Sequence, residues 1–289
     1  MTPHTSASPA SPAAPQPSPE QLAARALQRV RHELRMRTLT VQGVERLTPH
    51  CVRVTLAGDD LAGFHSPGFD DHVKLFLPDP ATGAVVLPRF DAQGAPAADG
   101  PRPTMRDYTP RRHDAQAGTL AIDFAVHDAG PATVWALQAA PGQHIGVGGP
   151  RGSLLVPLAF DGHVLIGDDT ALPAIARRLE ELSAGAPALA VIEVDGPADE
   201  QPLPTRAAAR IHWVHRQGGA PGEPARLLEA LRALDLPAGD VHAWVGCETS
   251  VAKAVRAHLV GERGVFPKWI KASGYWRRGS AGAHETVEE

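Results

Sequence analysis

The sequence predicts two domains in tandem, an antiparallel β-barrel followed by an α/β domain built on a parallel sheet. Three observations carry this. The chain has 289 residues, beyond the size at which one hydrophobic core usually stops growing. Between 36 and 158, short runs of alternating apolar and polar residues follow one another with turn residues between them, the pattern of a small antiparallel barrel. From 160 onward, continuous apolar runs alternate with amphipathic segments, the pattern of a parallel sheet covered by helices on both faces.

Taken in order, residues 1–17 are rich in Pro, Ala and Ser and have neither the basic nor the apolar region of a secretory signal. This tail is expected to be disordered. Residues 18–35 read as a helix, with Ser18 as N-cap, Pro19 at the first helical position and Gln21 completing a capping box. The barrel, 36–158, opens with alternating runs at 39–47 and 51–56, broken at Thr48 and Pro49. A third strand is expected at 71–78 and a fourth at 83–90, then a loop to 104. A short strand at 105–110, a turn-rich stretch, a strand at 119–127, a helix from Gly130, and strands with tight turns over 144–156 complete it.

The α/β domain, 159–279, begins with the apolar run 162–168. Helices follow at 171–185, 223–236 and 249–264, between strands at 188–195, 210–216, 240–247 and 269–276. The last residues, 280–289, are short and acidic and are expected to fray.

The formal net charge of −4 gives no global field for nucleic acid or an anionic membrane. No apolar run reaches membrane-spanning length, so no stable insertion is expected and the cytoplasm is the default location. Cys51 and Cys247 stand far apart, and the 14 histidines show no zinc-ligand spacing, so neither a disulfide nor a protein metal site is expected. The sequence assigns no oligomeric state.

The chemistry begins at the stretch RDYTPRR, Arg106 to Arg112. On a strand Arg106 and Tyr108 share a face. A guanidinium for phosphate, a flat ring one pleat away and the Thr109 hydroxyl together suit a flavin nucleotide, although the stretch alone also reads as a charged strand end. Gly130, Pro131, Ala132 and Thr133 follow where a strand gives way to a helix. Such a start presents free N–H groups that suit pyrophosphate. Two acidic turns, GDDTAL at 167–172 and GCETS at 246–250, end predicted parallel strands, where open α/β sheets bind ligands. Finally, Lys268, Lys271, Arg277 and Arg278 interleave with Tyr275 and Trp276. This is a local cationic patch for an anionic ligand beside a flat cofactor, or a solvated basic edge.

The ordered set RDYTPR, DFAVHDAGPATVWA, GPRGS, GDDTALPAI and SGYWRRG resembles the siderophore-interacting proteins, flavin-dependent ferric-siderophore reductases with a ferredoxin-reductase-like fold. The resemblance runs from about Val41 to Gly279. It implies an FAD-binding barrel, an NAD(P)H-binding α/β domain and a ferric siderophore as substrate. It also implies FAD contacts from Arg106, Tyr108, Thr109 and Arg111, and from His127, Ala129, Gly130, Pro131, Ala132 and Thr133. Asp168, Thr170, Ala171 and Leu172 match the turn approached by the nicotinamide half, and Trp276 would lie near the flavin. Lys74, from the HVK strand, joins Lys268, Lys271, Arg277 and Arg278 as candidate substrate contacts. For the nucleotide, His215 and Arg216 favour NADPH and Asp195 favours NADH; NADPH is the expectation. A general flavin or quinone reductase on the same fold, and a flavin-binding sensor with little turnover, are the alternatives.

Overall fold

The computed structural model describes residues 16–89, 97, 102–127, 130–280 and 285–287; most of the expected N-terminal tail lies outside them. Helix α1 (Pro19–Ala24) is capped as the sequence implies. Ser18 Oγ accepts from the Gln21 N–H at 3.2 Å, and the Gln21 side chain accepts from the Ser18 N–H at 2.8 Å. The helix does not continue to 35. Strand β1 (Gln28–Arg31) follows and pairs antiparallel with Gly152–Leu155, strand β9. The close approach explains Gly152: a Cβ there would sit 2.7 Å from the Val30 carbonyl oxygen.

The barrel sheet contains β2 (Met36–Thr48), β3 (Cys51–Ala57), β4 (Val73–Phe76), β5 (Met105–Tyr108), β6 (Pro110–Asp114), β7 (Thr119–Ala125) and β8 (His144–Gly148). Its order is β5-β4-β8-β2-β3-β7-β6, antiparallel throughout. β5 and β6 lie at opposite edges, yet only Thr109 separates them in the chain. The sheet therefore curls until its edges meet at Tyr108–Pro110, making a half-barrel. Alternate residues such as Leu39, Val54, Leu75, Ile122 and Ile145 fill the inside. The expected strand at 83–90 is absent over the described residues 83–89. Gly83 turns the chain at φ 71°, and Pro88 has no N–H to donate. Helix α2 (Pro131–Gln138) covers one end and packs Ala132 and Ala136 against the barrel core.

The second unit runs β10 (Gly162–Asp168), α3 (Leu172–Glu181), β11 (Pro187–Val194), β12 (Ala208–His215), α4 (Pro224–Ala233), β13 (Val241–Glu248), α5 (Thr249–Gly261), β14 (Ile270–Trp276) and β15 (Glu285–Thr286). The sheet order is β12-β11-β10-β13-β14-β15, and the first five strands are parallel. Every residue of β10 and β13 is buried, as their unbroken apolar runs require. Within the stretch 280–289, expected to fray, the described residues 285–287 are held, because β15 pairs antiparallel with Ser273 and Gly274 and Val287 is buried. The strand order reverses between β10 and β13, so the ligand crevice of this fold opens at Asp168 and Glu248.

Candidate functional site

A cavity of about 1280 Å3 opens between the two sheets, and both contribute to its walls. Arg106, Tyr108 and Thr109 line it, with Arg106 and Tyr108 on alternate positions of β5 as strand geometry requires. The Tyr108 ring rests on Phe124 at 4.4 Å between centroids, and Phe124 packs on Trp135 of α2 at 5.6 Å. The flat wall and the helix behind it are thus one packed stack.

Gly130, Pro131, Ala132 and Thr133 line the same cavity. Gly130 is the N-cap of α2, and no side chain among the described residues caps the helix. Pro131 has no N–H to satisfy, so the cavity meets the remaining first-turn donors of an eight-residue helix. A pyrophosphate fits that set. His127 and Trp276, one from each unit, face each other at 6.4 Å and 25°. Ala129 lies outside the described residues.

The acidic turn divides. Thr170 lines the cavity; Asp168, Ala171 and Leu172 do not. Ala171 and Leu172, at the start of α3, are packed in the core away from the cavity. Asp168 acts at one remove. Its Oδ2 accepts from Trp276 Nε1 at 2.8 Å, and its Oδ1 accepts from the Thr170 N–H at 3.0 Å and hydroxyl at 2.5 Å. It is a candidate for orienting Trp276.

Burial, reinforced by the neighbouring Asp169 carboxylate, pushes Asp168 up to about 7. The folded state therefore holds this proton where the unfolded chain has lost it. Stability contributed by Asp168 is present below the ordinary carboxylate range and falls as pH rises toward about 7. Urea midpoints measured across that window should decline less steeply in Asp168→Asn than in the wild type. Parallel curves would refute the assignment.

Three further candidates lie off the cavity. Arg111 does not line the cavity. Its guanidinium donates to Glu180 of α3 at 2.6 and 3.1 Å and lies 3.9 Å from Asp123. The register of β6 against β7 shifts between Pro110 and Arg112, and the intervening arginine joins the barrel to α3. Arg177 reinforces the junction from α3, donating to the carbonyls of Pro110 at 2.9 Å and Ser66 at 2.8 Å. Lys74 points away from the core between Val73 and Leu75 and pairs with Asp107 across β5 at 2.8 Å. Arg278 also lies off the cavity, held by Glu223 at 2.9 Å. Lys268, Lys271 and Arg277 do line it, with Lys271 tied to Asp70 at 2.5 Å.

The nucleotide candidates also change. Arg216 is buried and committed to Asp169 at 2.7 Å, with Glu193 at 3.7 Å and Asp195 at 3.9 Å. His215 pairs with Glu200 at 2.8 Å. A guanidinium taken out of water needs such partners, so these side chains are not a ready 2′-phosphate site.

Residues 40–154 match the family model of the siderophore-interacting FAD-binding domain, and residues 160–279 match that of the siderophore-interacting proteins. The chain belongs to the siderophore-interacting protein family. It is 40% identical over 252 residues to the NADPH-dependent ferric-chelate reductase of Escherichia coli K12, covering 86% of this chain and 96% of that protein. It is 33% identical over 236 residues to the ferric vibriobactin reductase ViuB of Vibrio cholerae, covering 81% and 86%. The crystal structure of a siderophore utilization protein from T. fusca superposes with a TM-score of 0.82 at 45% identity, covering 89% of this chain and 98% of that one.

In this siderophore-interacting protein, sequence reasoning missed several wall residues: Arg29, Arg31, Asp70, Asp71, Arg151, Ser153 and Arg256. The alternation in QRVR was the available signal for the first two, and the helical reading of 18–35 hid it. The stretch GPRGS was singled out without its Arg151 and Ser153 being given a role. The Cys51 thiol, pushed up to about 12 by burial, is inert, and Cys247 is likewise buried and free. No helix of the described residues is long and apolar enough to cross a membrane.

Proposed function

We propose that the protein reduces ferric siderophores with electrons from NADPH, passed through FAD held in the cavity between the two sheets. One observation carries this reading. A flat aromatic wall, a helix start that no side chain among the described residues caps and a cationic rim face a single cavity of about 1280 Å3. The FAD-binding family match and the reductase relatives support it. FAD, when bound, supplies the conversion of a two-electron hydride into the single electrons that Fe(III) accepts. The protein supplies placement. Tyr108 would provide the ring's wall, Arg106 and the α2 start would meet the phosphates, and Trp276, held by Asp168, would lie near the flavin. Siderophores hold Fe(III) through hard oxygen ligands, which bind Fe(II) less well, so reduction loosens the metal. NADPH as the donor is supported by the E. coli relative, and the cytoplasm is the compartment where NADPH would meet an imported chelate.

Lys268 and Arg277 are the rim cations for an anionic ferric chelate. Steady-state assays at low salt, with a ferric catecholate and a neutral quinone as alternative acceptors, test both levels of the proposal. The wild type should turn over the chelate faster. Lys268→Gln with Arg277→Gln should raise KM for the chelate by about tenfold, equivalent to roughly 1.4 kcal/mol, and leave KM for the quinone in place. Arg278→Gln should match the wild type. A chelate KM indifferent to the double substitution would remove the rim role. Quinone preferred over chelate would recast the enzyme as a general reductase.

A further inference from the structure

Two buried wall residues, Asp71 and Ser153, have no part in the reading above. Ser153 Oγ donates to Asp71 Oδ2 at 2.7 Å, and His32 Nε2 lies 2.8 Å from the same hydroxyl oxygen. Because the serine proton is directed at the carboxylate, the serine oxygen accepts, which assigns a proton to His32 Nε2. Asp71 is 3% exposed and Ser153 6%, whereas His32 is only half-buried. The three make a continuous hydrogen-bonded line from the surface to the cavity wall.

The surroundings of Asp71 come from several elements. The Ser66 hydroxyl and the Gly68 N–H each donate to Oδ2 at 3.0 Å. Arg177 of α3 attracts the carboxylate. Glu181 of α3 and Tyr275 of β14 feel its charge. Asp70 precedes it in the chain, and His65 packs edge-on against His32 at 5.4 Å. Burial outweighs the donors and holds the Asp71 carboxyl above the usual carboxylate range.

We propose that His32, Ser153 and Asp71 form a proton relay into the cavity, and that its recipient is the iron-binding oxygen of the chelate. The recipient, unlike the relay, rests on the function proposed above. After reduction, an Fe(II)–oxygen bond breaks with its electron pair remaining on the hydroxamate or catecholate oxygen. That oxygen takes the Asp71 proton at pH values where the carboxyl holds one, a range that burial extends upward. The carboxylate regains a proton from the Ser153 hydroxyl, the serine from His32 Nε2, and His32 takes one from water at Nδ1. No electron moves in this step. The relay separates iron release from iron reduction and prevents the anionic oxygen from rebinding the metal.

The test uses holoenzyme reduced with NADPH without oxygen and mixed with a ferric catecholate. Return of the flavin colour reports electron transfer, and capture of Fe(II) by a coloured ferrous chelator reports release. In Asp71→Asn and Ser153→Ala, capture should lag behind recolouring on the order of tenfold just above the usual carboxylate range, where burial favours the protonated Asp71. That is less than a lone general acid contributes, since water also enters the cavity. Ser66→Ala, which removes a donor to Asp71 but no link of the relay, should keep capture in step with recolouring and only move the Asp71 titration upward in pH. A second readout needs no cofactor. Infrared titration of the FAD-free protein should show a carboxylic-acid band that Asp71→Asn abolishes and Ser153→Ala moves in pH. Capture that keeps pace with recolouring in both variants would overturn the relay, as would the absence of any Asp71-dependent band. A wild type that reduces no ferric chelate would bring down the proposed function instead, and the infrared titration would then decide on the relay alone.

Discussion

Tyr108→Ala should purify colourless or nearly so. The substitution removes the flat wall of the cavity, and loss of stacking against an aromatic costs about 1–3 kcal/mol, roughly fivefold to more than a hundredfold in Kd. It also removes the ring that packs on Phe124, which in turn supports Trp135 of α2. The helix whose first turn faces the cavity thereby loses its seat, and truncation of a packed aromatic costs about 3 kcal/mol of stability. Tyr108→Phe keeps the ring and should keep the colour. Flavin absorbance per protein after gel filtration, with Kd from flavin fluorescence quenching, measures the effect. Full occupancy in Tyr108→Ala would show that the ring is a core residue and not a cofactor wall.

Gly167→Ala should lower thermal stability and NADPH oxidation while sparing FAD content. A Cβ at 167 would stand 2.6 Å from the Ala171 Cβ and 2.6 Å from the Gly246 carbonyl oxygen. The carbonyl is backbone and Ala171 opens the first turn of α3, so neither yields as a flexible side chain would. Overpacking of this kind costs about 1–3 kcal/mol. The strain falls next to Asp168, whose 2.8 Å hydrogen bond positions Trp276, so hydride delivery should slow as well. Gly196→Ala is the control. Its backbone is extended, at φ −161°, and nothing lies within 4 Å of a Cβ there. A Gly167→Ala protein with the Tm and the NADPH turnover of Gly196→Ala would contradict this account.

The fold was legible because its two halves carry different periodicities. Alternation of period two marked the barrel strands, and the unbroken apolar runs at β10 and β13 marked strands buried on both faces. The cofactor face of β5 was legible for the same reason, since alternation alone puts Arg106 beside Tyr108. Beyond that strand the rule failed at a bulge. The register shift between Pro110 and Arg112 sends Arg111 to Glu180 on α3, and no local pattern announces a partner 69 residues away. Residues 28–31 were misread because the spacing of Ala23, Leu27, Val30 and Leu34 fits a helix as well as QRVR fits a strand. Pairing with β9, a tertiary choice, decided the matter. Asp71 and Ser153, 82 positions apart, were illegible on the same ground.

In the proposed function one cavity passes electrons from NADPH through bound FAD to ferric iron. Anaerobic titration of the yellow protein with NADPH, followed by a ferric siderophore, tests this. One NADPH per FAD should bleach the protein. Addition of the chelate should then restore the full colour, with two Fe(II) appearing per flavin, because each iron takes one electron. A yellow protein that NADPH does not bleach, or a bleached one that the ferric chelate does not recolour, would contradict it.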